Sequence, residues 1–586
     1  MAVSTSAPPI VRRTSRFVTV AVTCLVAYLL LIPSFLLDFS KSLLAASVFM
    51  SNMSFWKASG YFAADAIFRP LLHTWSLSVE EQYYLFMPVA AFIIYRYLGK
   101  RWLTILLPVI LISFGLSVYA TETAPSANFF VLPTRAWELL IGAALALGSI
   151  PAVRSSLLAE AIGILGLALI AFAVFAFDEA ISFPGLNALY PCLGSALLIY
   201  VGKSPVQPFA TRLLSQRPLV GIGLISFSLY LVHWPIVSFL RYQSLDNPTP
   251  MQVVSIIVAS FALAYLSWRF VEQPFRKPNP AITQSRLLAG GVAAIALFAV
   301  AGAVGVAADG FPGRTRDFVE QKIAGHDQWN QGTCFLSDNP DYREWNAVAC
   351  TLTAADGPEV LLWGDSFAAH YVPGIVENAE RFPVRILQYT AAGCPPIVSY
   401  YSYARPRCAD FNANALNIIK ERNIRTVILT ARWTDLQSRG LDQLQSTLAG
   451  LEPMGVKVYL IGQSPQFSTN VQVIAYTKGS RDPNAVDKWT VFFDPAINTE
   501  LKQYAGVATF IDAMRICEGA LCPYREKGEY LYEDAEHFSV KGSSQAVLAY
   551  FPLFDNPPVP ARRSDKRQLP LENDLSRPVF EGGGKL

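Results

Sequence analysis

The chain has 586 residues, 52% of them hydrophobic and only 16% charged, with a mean hydropathy of +0.33. That balance excludes an ordinary soluble protein and fits a chain that is partly embedded in a membrane. The formal net charge of +3, with no basic tract, argues against a nucleic-acid partner, and no solenoid-period repeat is present.

The first apolar run, Phe17 to Phe39, is long enough to span and has no small-residue cleavage site, so it reads as a span and not as a cleaved leader. A span needs about 20 mostly apolar residues. Nine are expected, at 17–38, 82–98, 102–120, 130–149, 157–177, 183–201, 219–240, 251–271 and 287–308. The fourth is interrupted by Arg135 and Glu138, and 41–55, shorter and amphipathic, is expected to be interfacial or re-entrant. Basic residues gather in alternate loops: Arg12, Arg13 and Arg16, then Arg96, Lys100 and Arg101, Arg154, then Lys203, Arg212 and Arg217, and finally Arg276, Lys277 and Arg286. The positive-inside rule then places a short N-terminal segment, 1–15, in the cytoplasm and everything after about 310 outside.

Ionisable groups inside a membrane are costly and point to function. Four stretches carry them with aromatic company: LLHTWSLSVEEQYYLFMP (71–88), LPTRAWELLIGAALAL (132–147), ISFSLYLVHWPI (225–236) and SWRFVEQPFRK (267–277). Their order and spacing resemble the acyltransferase family 3 membrane domain over 16–280. The resemblance implies O-acylation of cell-envelope carbohydrates, with acetyl-CoA as a donor engaged on the cytoplasmic side and no tightly bound cofactor. It points to His73, Trp75, Ser76, Glu80 and Glu81, and to Arg135 and Glu138, which a helical three-residue step can pair. The plainer alternatives are a capping box of Ser78 and Glu81 near His73, an interface histidine at His233, and a helix end at the cytoplasmic surface for Arg269 and Glu272. In that family two further spans come first, bearing an Arg/Lys and a His and followed by a GGFxGVDxFFVISG-like run. This chain opens at Arg12-Arg13-Thr14-Ser15-Arg16-Phe17, which is similar to the segment leading the family's third span. The expectation is an N-terminal truncation of about two helices, with a second polypeptide as a source of the missing part.

Residues 281–329 read as one more span and a linker. From about 330 the pattern becomes short branched apolar runs alternating with helical periods, which predicts an α/β unit on a parallel sheet. Strands are expected at 360–364, 384–389, 425–431, 456–462 and 508–513, and helices near 367–381, 411–422, 439–453, 495–504 and 541–551. Residues 556–586 read as a disordered tail. Six of the eight cysteines lie in this half. An oxidising compartment and neighbour pairing are expected, as Cys334–Cys350, Cys394–Cys408 and Cys517–Cys522; metal ligation is disfavoured because only the last pair is closely spaced and no histidine lies near it.

In EVLLWGDSFAAHYVPG (359–374) an apolar strand hands Ser366 to a helix start. A serine hydroxyl is a weak nucleophile until a base takes its proton. Of His326, His370 and His537, only His537 has a suggestive acid nearby, Asp534 in YEDAEHFSVKG. His370 reads as helix surface, and Glu533 and Glu536 as solvated. A backbone N–H at the helix start with Ser366, and one at Gly393 past the second strand, suit an oxyanion. GDS on a strand-to-helix turn, with DxxH before the last helix, resembles the SGNH (GDSL-like) hydrolase superfamily over 330–555. That resemblance implies an α/β/α, flavodoxin-like periplasmic domain with Ser366 as nucleophile, His537 as base and Asp534 as its orienter. Where the family usually has a GxND block, this chain has Thr430-Ala431-Arg432-Trp433, similar to the run in membrane-fused SGNH domains. Together the halves imply a multi-pass O-acetyltransferase of the bacterial inner membrane acting on lipopolysaccharide O-antigen, peptidoglycan or exopolysaccharide. The rivals are a membrane-tethered SGNH esterase and a non-catalytic scaffold or transporter of acylated glycans.

Overall fold

The computed structural model describes residues 9–554 except 59–65, 99–102, 147–150, 179–180, 246–247, 277–282, 316–317, 338, 355, 403–404, 437–440 and 483. The expected tail, 556–586, and residues 1–8 lie outside the described residues. A helical apolar half is followed by an α/β/α unit.

Among the described residues six helices are long and apolar enough to cross a membrane, not nine: Thr104–Thr123, Pro125–Ala146, Ser156–Ala176, Arg217–Ser244, Pro250–Phe275 and Ser285–Ala307. The expected span 82–98 belongs to helix Thr74–Leu98, whose early turns hold Glu80, Glu81 and Gln82 and lower its hydropathy. The expected span 183–201 yields only the 13-residue helix Leu189–Val201. Phe92, Phe175 and Met251 are 71, 88 and 74% exposed, as suits side chains whose solvent is hydrocarbon.

The first expected span is also revised. A helix ends at Leu30, the backbone turns at Leu31 and Ile32, and a second helix, Pro33–Ser47, starts with its proline in the first turn, where no N–H is needed. This second helix packs against Gln284–Ala307, and helix Ser51–Lys57 follows it. The expected re-entrant segment 41–55 thus begins earlier and is two helices. At the turn, the Ile32 N–H donates to the Tyr242 hydroxyl (3.0 Å), Arg314 donates to the Leu31 carbonyl, and the Ser34 N–H donates to Glu320 Oε2 (2.7 Å).

The second half is built on nine strands: β1 (Phe335–Leu336), β2 (Glu359–Gly364), β3 (Arg385–Ala391), β4 (Thr426–Thr430), β5 (Lys457–Ile461), β6 (Val486–Thr490), β7 (Thr509–Ile511), β8 (Leu521–Glu526) and β9 (Glu529–Tyr530). Six form a parallel sheet in the order β1-β3-β2-β4-β5-β7. The five expected strands are its β2, β3, β4, β5 and β7. Both faces are covered, so the strands read as continuous apolar runs. Val360, Leu362, Ile386 and Ile428 face one core with Val372, Ile375 and Val547, whereas Leu361, Trp363, Leu387 and Leu429 face another with Phe411, Leu448 and Ile497. The small antiparallel sheet β6-β8-β9 was not expected. Its strands VDKWT and LCPYRE are too polar to show as apolar runs. The cysteines pair as Cys334–Cys350, Cys394–Cys408 and Cys517–Cys522.

Candidate active site

β2 delivers the nucleophile candidate. Gly364, its last residue, is in register with Thr390 of β3 and Thr430 of β4, so the chain beyond it leaves at the carboxyl rim of the central strands. A Cβ on Gly364 would lie 1.9 Å from the Thr430 carbonyl oxygen, so only glycine lets β2 and β4 close here. Asp365 caps the helix that starts at Ser366: its Oδ1 accepts the Phe367 N–H (2.8 Å) and its Oδ2 the Arg432 N–H beyond β4 (2.9 Å). Burial pushes the Asp365 carboxyl up to about 7, against the two N–H donors, which pull it down.

His537 and Asp534 come from the loop before the last helix, Val540–Tyr550. His537 Nε2 lies 2.8 Å from Ser366 Oγ, and His537 Nδ1 lies 2.7 Å from Asp534 Oδ2. Asp534 Oδ1 accepts the backbone N–H groups of Glu536 and His537 (both 2.8 Å), which locks the carboxylate in place. Burial alone raises the Asp534 carboxyl, but His537 and His326 outweigh it and hold the group well below the usual range. Burial works against the His537 imidazolium, yet the Asp534 and Glu536 carboxylates prevail and raise its pKa. Ser366 and His537 are 0 and 4% exposed.

Three expectations are corrected. His370 is not helix surface: it is wholly buried between Phe367, Tyr371 and Phe538, where burial and then the neighbouring His537 hold its pKa well below normal. Glu536 is not solvated; it accepts from Arg432 Nη1 (2.8 Å) and Gln466 Nε2 (2.6 Å), and burial raises its pKa against the Arg432 charge. Glu533 is tied to His326 Nδ1 (2.9 Å).

Gly393, in the turn after β3, has a left-handed φ of +62° and lies on the same rim as Ser366. The Phe367 N–H is taken by Asp365, so the oxyanion candidates at the two strand ends are the N–H groups of Ser366 itself and Gly393. His326, Asp534 and His537 are a group that could hold a metal ion, with ligand atoms within 4.8 Å of one another. The 2.7 Å between Asp534 and His537 is a hydrogen-bond length. Sequence reasoning missed Asp365, although an Asp before a helix start is a capping signal. It also missed His326, whose contact Glu533 is 207 residues away along the chain.

In the membrane half, Arg135 Nε and Glu138 Oε1 pair at 2.9 Å, and the guanidinium lies 5.2 Å from the Trp75 ring. Ser76 Oγ is 2.6 Å from the Tyr230 hydroxyl, which also donates to the His73 carbonyl. The His73 ring is 6.3 Å from that of His233, so these residues form one cluster. Glu81 is 3.7 Å from Arg16, and Glu80 lies one residue earlier in the same helix. Ser78 is inside that helix and bonds Ser51, so the plainer alternative of a capping box does not hold. Glu272 is buried and accepts from Ser228 Oγ (2.5 Å), so it is not at a solvated helix end.

Residues 333–550 match the family described as "SGNH domain (fused to AT3 domains)", and residues 10–269 match the family described as "Acyltransferase domain". The O-acetyltransferase OatA of Staphylococcus aureus strain NCTC 8325 / PS 47 is 32% identical over 260 residues, 42% of this chain and 42% of that protein. OatA of strain COL gives the same values. The chain spans less than half the length of the curated relatives it matches. Among solved structures, the lipopolysaccharide acetyltransferase periplasmic domain of Salmonella ser. Paratyphi A is 20% identical, covering 33% of this chain and 83% of that one at a TM-score of 0.29. The membrane half is therefore similar to that acyltransferase family, and the second half to SGNH domains of the kind fused to it.

Proposed function

We propose that the chain is a membrane-bound O-acetyltransferase of the bacterial inner membrane, passing acetyl from cytoplasmic acetyl-CoA to a hydroxyl of an envelope polysaccharide. The observation that carries this is the Ser366–His537–Asp534 relay in a chain whose other half matches an acyltransferase family. The O-acetyltransferase names of its relatives support the same reading. On this reading the N-terminus is cytoplasmic and the SGNH domain periplasmic, as its three disulfides suit. The membrane half, with His73, Ser76, Glu80, Glu81, Arg135 and Glu138, hands acetyl to the outer side. His537 Nε2 takes the Ser366 proton as Oγ bonds the acyl carbon, and the Ser366 and Gly393 N–H groups hold the oxyanion. The donor leaves with that proton, and an acetyl-serine ester remains. A sugar hydroxyl then gives its proton to His537, attacks the ester carbon, and Ser366 leaves reprotonated.

The test is the full-length protein supplied with an acyl ester, with and without an oligosaccharide acceptor. Acetyl on the sugar, abolished by Ser366→Ala, is the expected result. Hydrolysis alone would make the protein a membrane-tethered esterase. Unchanged envelope acetylation in cells carrying Ser366→Ala would make it a scaffold or transporter.

A further inference from the structure

The segment that leaves the membrane half and enters the SGNH domain does not run past the relay; it packs on it. Residues 318–333 form a strap fixed at several points. The Gln321 N–H donates to Gln472 Oε1 (2.8 Å), and Gln472 Nε2 donates back to the Gln321 carbonyl (2.9 Å). Further on, the Val540 N–H donates to the Ala324 carbonyl (3.0 Å), and the His326 N–H donates to Glu533 Oε2 (2.7 Å). A Cβ on Gly325 would sit 2.2 Å from the same Glu533 oxygen, so a side chain here would push the Glu533 carboxylate aside.

The fastening sets the His326 ring between two carboxylates. Nδ1 is 2.9 Å from Glu533 Oε2, and Nε2 is 3.7 Å from Asp534 Oδ2, the oxygen that His537 also uses. Trp329, buried, closes the arrangement with its ring 4.3 Å from His326 and 5.2 Å from His537, and the two histidine rings are 5.1 Å apart. The contact to Glu533 is of hydrogen-bond length, whereas that to Asp534 is longer and acts as a close electrostatic contact.

We infer that His326 is a positioning residue for the relay: delivered by the strap, it shares Asp534 with His537 and fixes that carboxylate for its work on the base. The inference rests on the proposed Ser366–His537–Asp534 chemistry and adds a fourth member to it. It also places the strap, which begins at the membrane half, in direct contact with the groups that move the proton.

Two effects follow. Without His326 the carboxylate loses a neighbour 3.7 Å away that helps to hold its pKa down, so kcat falls about tenfold while KM is kept. The carboxylate then belongs to His537 alone, which holds its proton more tightly. The acid limb of the kcat profile therefore moves to higher pH. The charged and titratable groups around His537 are His326 from the strap, Arg432 beyond β4, Asp365 and His370 either side of Ser366, and Glu533, Asp534 and Glu536 on its own loop.

The experiment uses the full-length protein and a chromogenic acetyl ester, comparing wild type with His326→Gln, His326→Phe and Ser366→Ala. Gln keeps an N–H donor to face the Glu533 and Asp534 carboxylates, whereas Phe fills the space and donates nothing. The expected result is a low kcat and a displaced acid limb in His326→Phe, and recovery of most of both in His326→Gln. Equal behaviour of His326→Phe and wild type, or of the Gln and Phe variants, overturns the inference. Turnover that survives Ser366→Ala overturns the underlying chemistry instead, so the two failures are distinguishable.

Discussion

Asp534→Asn changes a single atom type at the far end of the relay. Asp534 Oδ1 is held by the N–H groups of Glu536 and His537, each at 2.8 Å, so an asparagine there keeps its carbonyl on that side. Its NH2 then takes the place of Oδ2 and points a donor at His537 Nδ1, 2.7 Å away. His537 must accept on Nδ1 and carry its proton on Nε2, which faces Ser366 Oγ at 2.8 Å and can no longer take a proton from it. The loss of the correct tautomer and of the charge behind it is expected to lower kcat about 10⁴-fold, roughly 5.5 kcal/mol. A second signature is the pH profile. Asp534 helps to raise the His537 pKa, and the base works only when neutral, so the wild-type acid limb lies above the free histidine value and shifts downward in the variant. Acetyl-ester turnover by the full-length protein between pH 5 and 9 measures both effects, in a window typical of histidine titration. A loss smaller than about tenfold, with an unmoved acid limb, would refute the relay.

Gly364→Ala drives a methyl group into the Thr430 carbonyl and is expected to cost about 1–3 kcal/mol of stability and most of the turnover; a thermal midpoint and rate like wild type would contradict the close β2–β4 approach. Cys394→Ser opens a disulfide that closes a 14-residue separation next to Gly393, and loop entropy predicts about 3 kcal/mol of lost stability, read as a lower thermal midpoint that Cys24→Ser does not share. Asp365 has a folded pKa of about 7, raised from 3.8, so its stabilising contribution is full below the unfolded value and lost as pH climbs to about 7, at most about 4 kcal/mol. The wild-type midpoint should therefore fall more steeply than that of Asp365→Asn from acid to neutral pH, and equal slopes in a thermal scan would exclude this.

The parallel sheet was legible because its strands are buried on both faces and so appear as unbroken apolar runs, as in Val360–Trp363 and Val427–Leu429. The pairing of Ser366 with His537 was legible because each stands at a marked position, one at a strand-to-helix turn and the other before the final helix. What was not legible depends on contacts made across the chain. Glu536 looks like a surface acid until Arg432 and Gln466 are brought to it, and His326 looks like linker until the strap folds back on Glu533. Hydropathy likewise reports apolar content and not direction, so Phe17 to Phe39 reads as one continuous span. Only Pro33, at the start of a new helix, marks the turn.

That turn has a mechanical consequence. Backbone groups left without partners in hydrocarbon cost several kcal/mol each. The Leu31 carbonyl and the Ile32 and Ser34 N–H groups find theirs on Arg314, Tyr242 and Glu320. Tyr242 belongs to a long membrane helix, whereas Arg314 and Glu320 lie on the approach to the SGNH domain. The corner is thus a clasp between the two halves: moving the α/β unit relative to the helices would strip these bonds together.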